Sequence, residues 1–323
     1  MKTLGKLLQL ILFAATLALP MATAQAENYP SRPIKLIVPY PPGGGNDIVA
    51  RAIGHKLAER LGQAVVVENK PGGGTLIGAQ LAAKAAPDGY TLFIGTIATM
   101  AINTSLYRTL PYDAVKDFAP ITQLVNYPLI LVAHPSVPAS NVAELLALAK
   151  SKPLNYASFG NGSSPHLGTE LLKSMTGTQL LHVPYKGGTP ALMDLMSGQV
   201  SVMFIDMPPA IGQIKSGRIK ALAVSSPQRS PLLPEVPSVG ETVPGFGFDS
   251  WAGLFAPAGT PAAIIARLHD EVVQILSQPE IKNQLSGLGA EPAVSTPQQF
   301  AAMIRSETTK WAKVVKASGA QLD

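Results

Sequence analysis

The sequence predicts an α/β protein built as a two-domain clamshell, each domain a mainly parallel sheet flanked by helices. Three observations carry this prediction. After Pro33, short β-branched runs alternate with longer helical patterns. The alternation starts afresh beyond Asn126-Tyr127-Pro128. From Phe246 onward the chain is mostly helical, with apolar stripes that need a sheet to cover.

In the first cycle, residues 34–39 read as a strand. Residues 48–61 read as its helix, with Val49, Ile53 and Leu57 at i, i+4 spacing and Gly62 as the stop. A strand over 64–68, a helix over 76–84 and a strand over 91–94 after the Pro87-Asp88-Gly89 turn complete a βαβαβ order. Such an order implies parallel strands buried on both faces. The second cycle opens at residues 129–133. Asn141 and Glu144 then have the spacing of a capping box at the start of a helix over 142–150. Strand signals follow at 155–157, 180–183, 202–205 and 219–224, with helical ones at 167–175 and 191–197.

In the third section, Thr260-Pro261 and Thr296-Pro297-Gln298-Gln299 are helix starts with proline at the first helical position. Their stripes, Ile264, Leu268, Val272 and Ile275, then Phe300, Met303, Ile304, Trp311, Val314 and Val315, are expected to pack back on the first domain. The expected division is therefore 27–125 plus 246–323 as one domain and 126–245 as the other. Two crossings, near residues 126 and 245, form a hinge.

The N-terminus predicts export. Lys2 and Lys6 precede an uncharged apolar run over residues 7–19 and two small-x-small cleavage sites, Ala22-Thr23-Ala24 and Ala24-Gln25-Ala26, so residues 1–26 read as a cleavable signal. The apolar run falls short of the ~20 residues that span a bilayer. There is no cysteine anywhere, which removes disulfides, thiolate metal sites, cysteine nucleophiles and a lipidated thiol together. The mature chain is expected to be a free monomer. Loss of Lys2 and Lys6 leaves 23 basic residues against 20 acidic, too small and scattered an excess for nucleic acid.

Two loops carry the candidate chemistry. Tyr40-Pro41-Pro42-Gly43-Gly44-Gly45-Asn46-Asp47 lies between the first strand and its helix, where glycines let backbone N–H groups approach a ligand and a helix start favours an anion. The same glycines suit a plain turn with Asp47 as N-cap, and residue types alone leave both readings open. The dinucleotide fingerprint fails, because Gly43-x-Gly45 is followed by Ile48 where a third glycine belongs. Pro71-Gly72-Gly73-Gly74-Thr75 reads mainly as a connector. In the second domain, the run over residues 158–166 offers Gly160, Asn161, Gly162, Ser163, Ser164 and His166, neutral donors suited to a carboxylate. A serine hydrolase would need Ser163 or Ser164, His166 and Asp206 as a triad. The Gly-x-Ser-x-Gly elbow is broken, and a serine only two or three residues from its histidine meets it poorly. The five histidines lack zinc spacing. No metal, cofactor or catalytic residue is expected. Tyr185, Lys186 and Asp206 fall at ends of predicted strands, where open α/β sheets place ligands.

At these residues the chain resembles the tripartite tricarboxylate transporter receptors, or Bug receptors, of Gram-negative bacteria. The resemblance runs through Tyr29-Pro30-Ser31-Arg32-Pro33, Val38-Pro39 with the following glycine loop, Val67-Glu68-Asn69-Lys70-Pro71 with its three glycines, Pro87-Asp88-Gly89-Tyr90-Thr91-Leu92, Val183-Pro184-Tyr185-Lys186-Gly187 and residues 251–261. It implies a periplasmic-binding-protein-like clamshell in the periplasm that captures a small organic carboxylate, such as a dicarboxylate, tricarboxylate, acidic amino acid or aromatic acid. It also implies delivery of that acid to a separate membrane transporter. It implies that a ligand carboxylate sits against the loop at Gly43 to Asp47 and the loop at Gly160 to Ser164, so that the candidate contacts are Tyr40, Pro42, Gly43, Gly44, Gly45 and Asp47 on the first and residues 160–164 with His166 on the second. Thr96, Tyr185 and Asp206 match positions expected near the ligand. A periplasmic co-receptor presenting the ligand to a sensor kinase is the alternative role.

Overall fold

The computed structural model describes residues 29–185, 187–320 and 322. The predicted export signal and Lys186 lie outside the described residues.

The chain lays down β1 (Ile34–Val38), α1 (Gly45–Leu61), β2 (Val65–Asn69), α2 (Leu76–Ala83), β3 (Thr91–Thr96), the short α3 (Asn103–Leu106) and the long β4 (Phe118–Tyr127). A second series follows: β5 (Leu129–Ala133), α4 (Val142–Ser151), β6 (Leu154–Ser158), α5 (Ser164–Thr176), β7 (Leu180–Pro184), α6 (Gly188–Met196), β8 (Val202–Asp206), α7 (Met207–Lys215) and β9 (Lys220–Val224). Last come β10 (Ser250–Pro257), α8 (Ala262–Ser277), α9 (Pro279–Gly287), β11 (Glu291–Pro292) and α10 (Pro297–Ser318).

These strands form two sheets. The first has the order β11-β4-β10-β3-β1-β2, the second β7-β6-β8-β5-β9. The chain passes from the first sheet to the second between Tyr127 and Leu129, and returns between Val224 and Ser250. Parallel pairing holds for β1 with β2 and β3, and for β6 with β7 and β8. The expectation of mainly parallel sheets needs correcting, because both are mixed. A chain that crosses to the other unit and comes back at the same end of the sheet enters the neighbouring strand in the opposite direction, as Ser250 opposite Tyr127 and Ile130 opposite Val224 show. Accordingly β10 is antiparallel to both β3 and β4, and β5 to both β8 and β9. The crossings themselves generate the antiparallel half.

Local signals explain the helix ends. Asn141 accepts the Glu144 amide at 2.9 Å, and Thr296 and Gln299 make a reciprocal capping box. Under the first sheet, Phe93 stacks on Phe118 at 5.3 Å between centroids and Phe255 meets Phe300 at 5.0 Å. Under the second, Phe204 and Phe248 meet edge to face at 5.3 Å. The sequence places the C-terminal helices back on the first domain. Helix α8 does pack on β4 and α1, but α10 also packs against α5. Its 22 residues reach about 33 Å, so Phe300 sits under the first sheet while Trp311 packs edge to face on Phe248. Trp311 is fully buried, which stabilises the joint between the units by about 2–3 kcal/mol.

Candidate functional site: a two-part cleft between the sheets

The carboxyl ends of β1, β6 and β8 face a cleft whose floor is the crossing itself. One part, with a cavity of about 350 Å³, is bounded by Gly43, Gly45 and Asn46 from the first unit, Tyr127, Pro128 and Ser250 at the crossing, and Asp206 with Met207 from the second. The adjoining part, about 490 Å³, is lined by Tyr40, Thr75, Asn103 and Tyr107 on one wall and by Phe159 and residues 161–165 on the other. Asn46, Asp206 and Ser250 belong to both parts. Ser250 pairs with Tyr127 in the β10–β4 ladder, so this register places both at the floor.

The first loop is tied down by a carboxylate. Asp47, 2% exposed, sits in the first turn of α1. Its Oδ2 accepts the Gly43 amide at 2.8 Å and Arg51 Nε at 3.0 Å, and its Oδ1 accepts Asn69 Nδ2 at 2.8 Å. Burial pushes the Asp47 carboxyl up, but the hydrogen bonds from Arg51, Gly43 and Asn69 outweigh it, and the group lies below its ordinary value. Asn69 Nδ2 also donates to the Tyr40 carbonyl at 3.1 Å. Tyr40 in turn shares a hydrogen bond of 2.8 Å with Thr96 Oγ1.

The second loop rests on an imidazole pair. His166 and His182 stack face to face with centroids 4.0 Å apart. His166 Nδ1 accepts the Gly162 amide at 3.0 Å, which requires a neutral ring protonated on Nε2. His182 Nε2 meets Ser158 Oγ at 2.6 Å, and that hydroxyl also accepts the Gly160 amide at 3.1 Å. Ser163 Oγ closes the turn on the Gly160 carbonyl at 2.7 Å. Burial lowers both imidazoles, His182 to about 4, with His166 beside it adding to the effect. Glu170, bonded to Tyr156 and Lys173, is the nearby counter-charge.

Several expected contacts therefore sort differently. Tyr40, Gly43, Gly45, Asn161, Gly162, Ser163, Ser164 and Asp206 do line the cleft. Asp47 and His166 instead hold the loops from behind, because their polar atoms are spent on Gly43, Arg51, Asn69 and Gly162. Thr96 backs Tyr40, and the Tyr185 hydroxyl is donated to Asp194 at 2.7 Å. Pro42 and Gly44 are exposed outside both parts, and Gly160 serves the turn. The hydrolase triad is not assembled, since His166 bonds Gly162 rather than a serine. Sequence reasoning passed over Asn46, Asn103, Tyr107, Tyr127, Phe159 and Ser250. It also took the 71–75 run mainly for a connector, yet Gly74 and Thr75 line the cleft, and Thr75 is held at φ +81°.

Asp206 ends β8 at the head of α7 and makes no cap hydrogen bond. Cleft solvent reaches it, but the surrounding walls strip away bulk water, and that desolvation pushes its carboxyl up to about 6. Buried nearby, Tyr127 Oη and Asn46 Oδ1 have no hydrogen-bond partner among the described residues. Neither part of the cleft is lined by lysine or arginine among the described residues. Lys186, at the end of a predicted strand, lies outside them. Among the described residues the arrangement therefore presents neutral donors and one unpaired carboxylate.

Comparison with known proteins agrees with this architecture. Residues 49–320 match the model of the tripartite tricarboxylate transporter family receptor. The protein BugT of Bordetella pertussis is 38% identical over 315 residues, covering 96% of each chain. Among solved structures, R. palustris Rpa4515 with adipate superposes with a TM-score of 0.78 at 37% identity, covering 90% of this chain and 98% of that one. MatC from Rhodopseudomonas palustris with bound malate gives 0.74 at 34%, covering 89% and 100%. Cleft, topology and sequence converge: the chain belongs to the tripartite tricarboxylate transporter receptor family, a family of periplasmic solute-binding receptors.

Proposed function

We propose that this protein captures a small organic acid between its two sheet units in the periplasm and delivers it to a tripartite tricarboxylate-type membrane transporter. The observation that carries this reading is the pair of braced loops facing each other across one cleft. Each presents backbone or hydroxyl donors at a helix start, Gly45 and Asn46 on α1, Ser163 and Ser164 on α5. Helix starts favour anions, and two of them suit an acid with carboxylates at both ends. Relatives solved with adipate and malate support that class. On this reading, residues 27–125 with 246–323 and residues 126–245 are the two lobes, and Tyr127, Pro128 and Ser250 lie at their hinge.

Native mass spectrometry of the protein purified from its own periplasm tests the capture step. A retained organic acid supports it, and a retained sugar or peptide overturns it. Uptake of the same acid by cells lacking the gene tests delivery: unchanged uptake removes the transport role.

A further inference from the structure

We infer that the cleft takes up its organic acid together with one proton, carried by Asp206, which then donates a hydrogen bond to the ligand. This rests on the organic-acid reading above and assigns a role in it to the one charged group that lines the cleft among the described residues.

The geometry sets the problem. Asp206 borders both parts of the cleft, so an acid long enough to touch both loops passes its carboxylate. No described residue bonds to that carboxylate, and no lysine or arginine among the described residues lines either part. Among the described residues, the titratable groups that line the cleft with it are the hydroxyls of Tyr127 on β4, Tyr40 beyond β1 and Tyr107 after α3, all neutral and all raised by burial. Asn46 of α1 and Ser250 of β10 complete the surround with uncharged groups. A ligand carboxylate bound beside Asp206 would displace the cleft solvent that now reaches it and set a second carboxylate against it, and two carboxylates in direct contact cannot both stay ionised. One proton from solvent resolves the conflict, since neutral Asp206 becomes an O–H donor and the anion keeps its charge for the helix starts. No bond to carbon forms or breaks. Before the ligand enters, loss of hydration already raises the carboxyl of Asp206 to about 6, the same direction in which a ligand's charge would push it.

The test is calorimetric titration of the mature protein with adipate, L-malate, citrate and an aromatic diacid, in buffers of different ionisation enthalpy at about pH 7.5, which counts protons exchanged on binding. Binding accompanied by uptake of roughly one-half to one proton is expected. Above about pH 6.5, where the histidine pair is neutral, affinity should weaken by up to about tenfold per pH unit. Asp206→Asn keeps a donor without a charge, and should bind the acid with no proton uptake and a flat pH profile. A wild-type complex that forms with no proton exchange overturns the inference and leaves the receptor reading standing, as does an Asp206→Asn profile that keeps the wild-type slope. A tightest ligand carrying an ammonium group, bound without proton uptake, also overturns it. If no acid binds at any pH from about 5.5 to 8, the receptor reading itself falls.

Discussion

The two loops that face each other across the cleft present similar donors, yet they are held in place by different chemistry. On the first unit, a buried and ionised Asp47 gathers Gly43, Arg51 and Asn69. On the second, two stacked neutral imidazoles accept from Gly162 and meet Ser158. A carboxylate can accept several N–H groups at once and strengthens each through its charge. A neutral imidazole accepts only one, but puts no charge behind a loop proposed to receive an anion. The first brace fails by losing a charge and the second by gaining one, so the two respond differently to mutation and to pH.

The largest effect is expected from Asp47→Asn, which keeps the shape but turns a charged acceptor into a mixed donor and acceptor. Stability should fall by about 2–3 kcal/mol, the range for hydrogen bonds to a charged group. Acid affinity should drop at least about tenfold, read by urea unfolding and calorimetry. An affinity change without loss of stability would mean that Asp47 touches the ligand directly.

Gly162→Ala probes the second loop. Gly162 has φ +76°, and a Cβ there would stand 2.4 Å from Leu106 Cδ2 on the opposite unit. The left-handed backbone alone costs about 1–2 kcal/mol, and the overlap pushes the walls apart where the ligand must be enclosed. Weaker binding with a modest loss of stability is expected. Unchanged binding would show that Leu106 and Gly162 separate in the ligand-bound form.

Acid titration distinguishes the braces directly. His182 takes a proton at its ordinary value of 6.5 when unfolded but only near 4 when folded. Stability from the neutral pair is therefore complete above 6.5 and is lost as pH falls through that window towards 4. Asp47 lies below its ordinary 3.8, so its contribution persists above that value and fades only at still lower pH. Amide hydrogen exchange should show residues 160–164 loosening before residues 43–47 as pH drops. The reverse order would contradict the assignment of the braces.

Gly44→Ala should do least. Gly44 has φ −79°, and an added Cβ would meet nothing closer than the Pro41 carbonyl at 3.8 Å. Stability should stay within about 0.5 kcal/mol and affinity within about twofold. A large loss of affinity would bring the exposed tip of this loop into the binding surface.

The contrast also shows how far a sequence can be read. The β/α cycles, the caps at Asn141 and Thr296 and the two glycine loops were visible because their signals are local. The cleft floor was not, because Ser250 and Tyr127 meet only through the β10–β4 register, a pairing across more than a hundred residues. Asn103 and Tyr107 arrive through α3 and the turn before it, too short for periodicity to reveal. Asp47 and His166 were recognised as belonging to the loops but not as bracing them from behind. Residue type cannot say whether a polar atom faces a ligand or a backbone amide. Asn126-Tyr127-Pro128 did carry a usable signal: a crossing between sheets sets a topological switch point, where open α/β folds place ligands.

The central claim is that the braced loops recognise a carboxylate through neutral donors, and thermal unfolding of the mature protein with acids and their methyl esters tests it most directly. A ligand at a hundred times its dissociation constant adds about 2.7 kcal/mol to the folded state, which for domains of this size raises Tm by roughly 5 °C or more. At least one acid among citrate, adipate, malate, acidic amino acids and aromatic diacids should give that shift, and its ester should lose it. An ester that stabilises as well as its acid, or shifts only with sugars and neutral amides, would contradict the account.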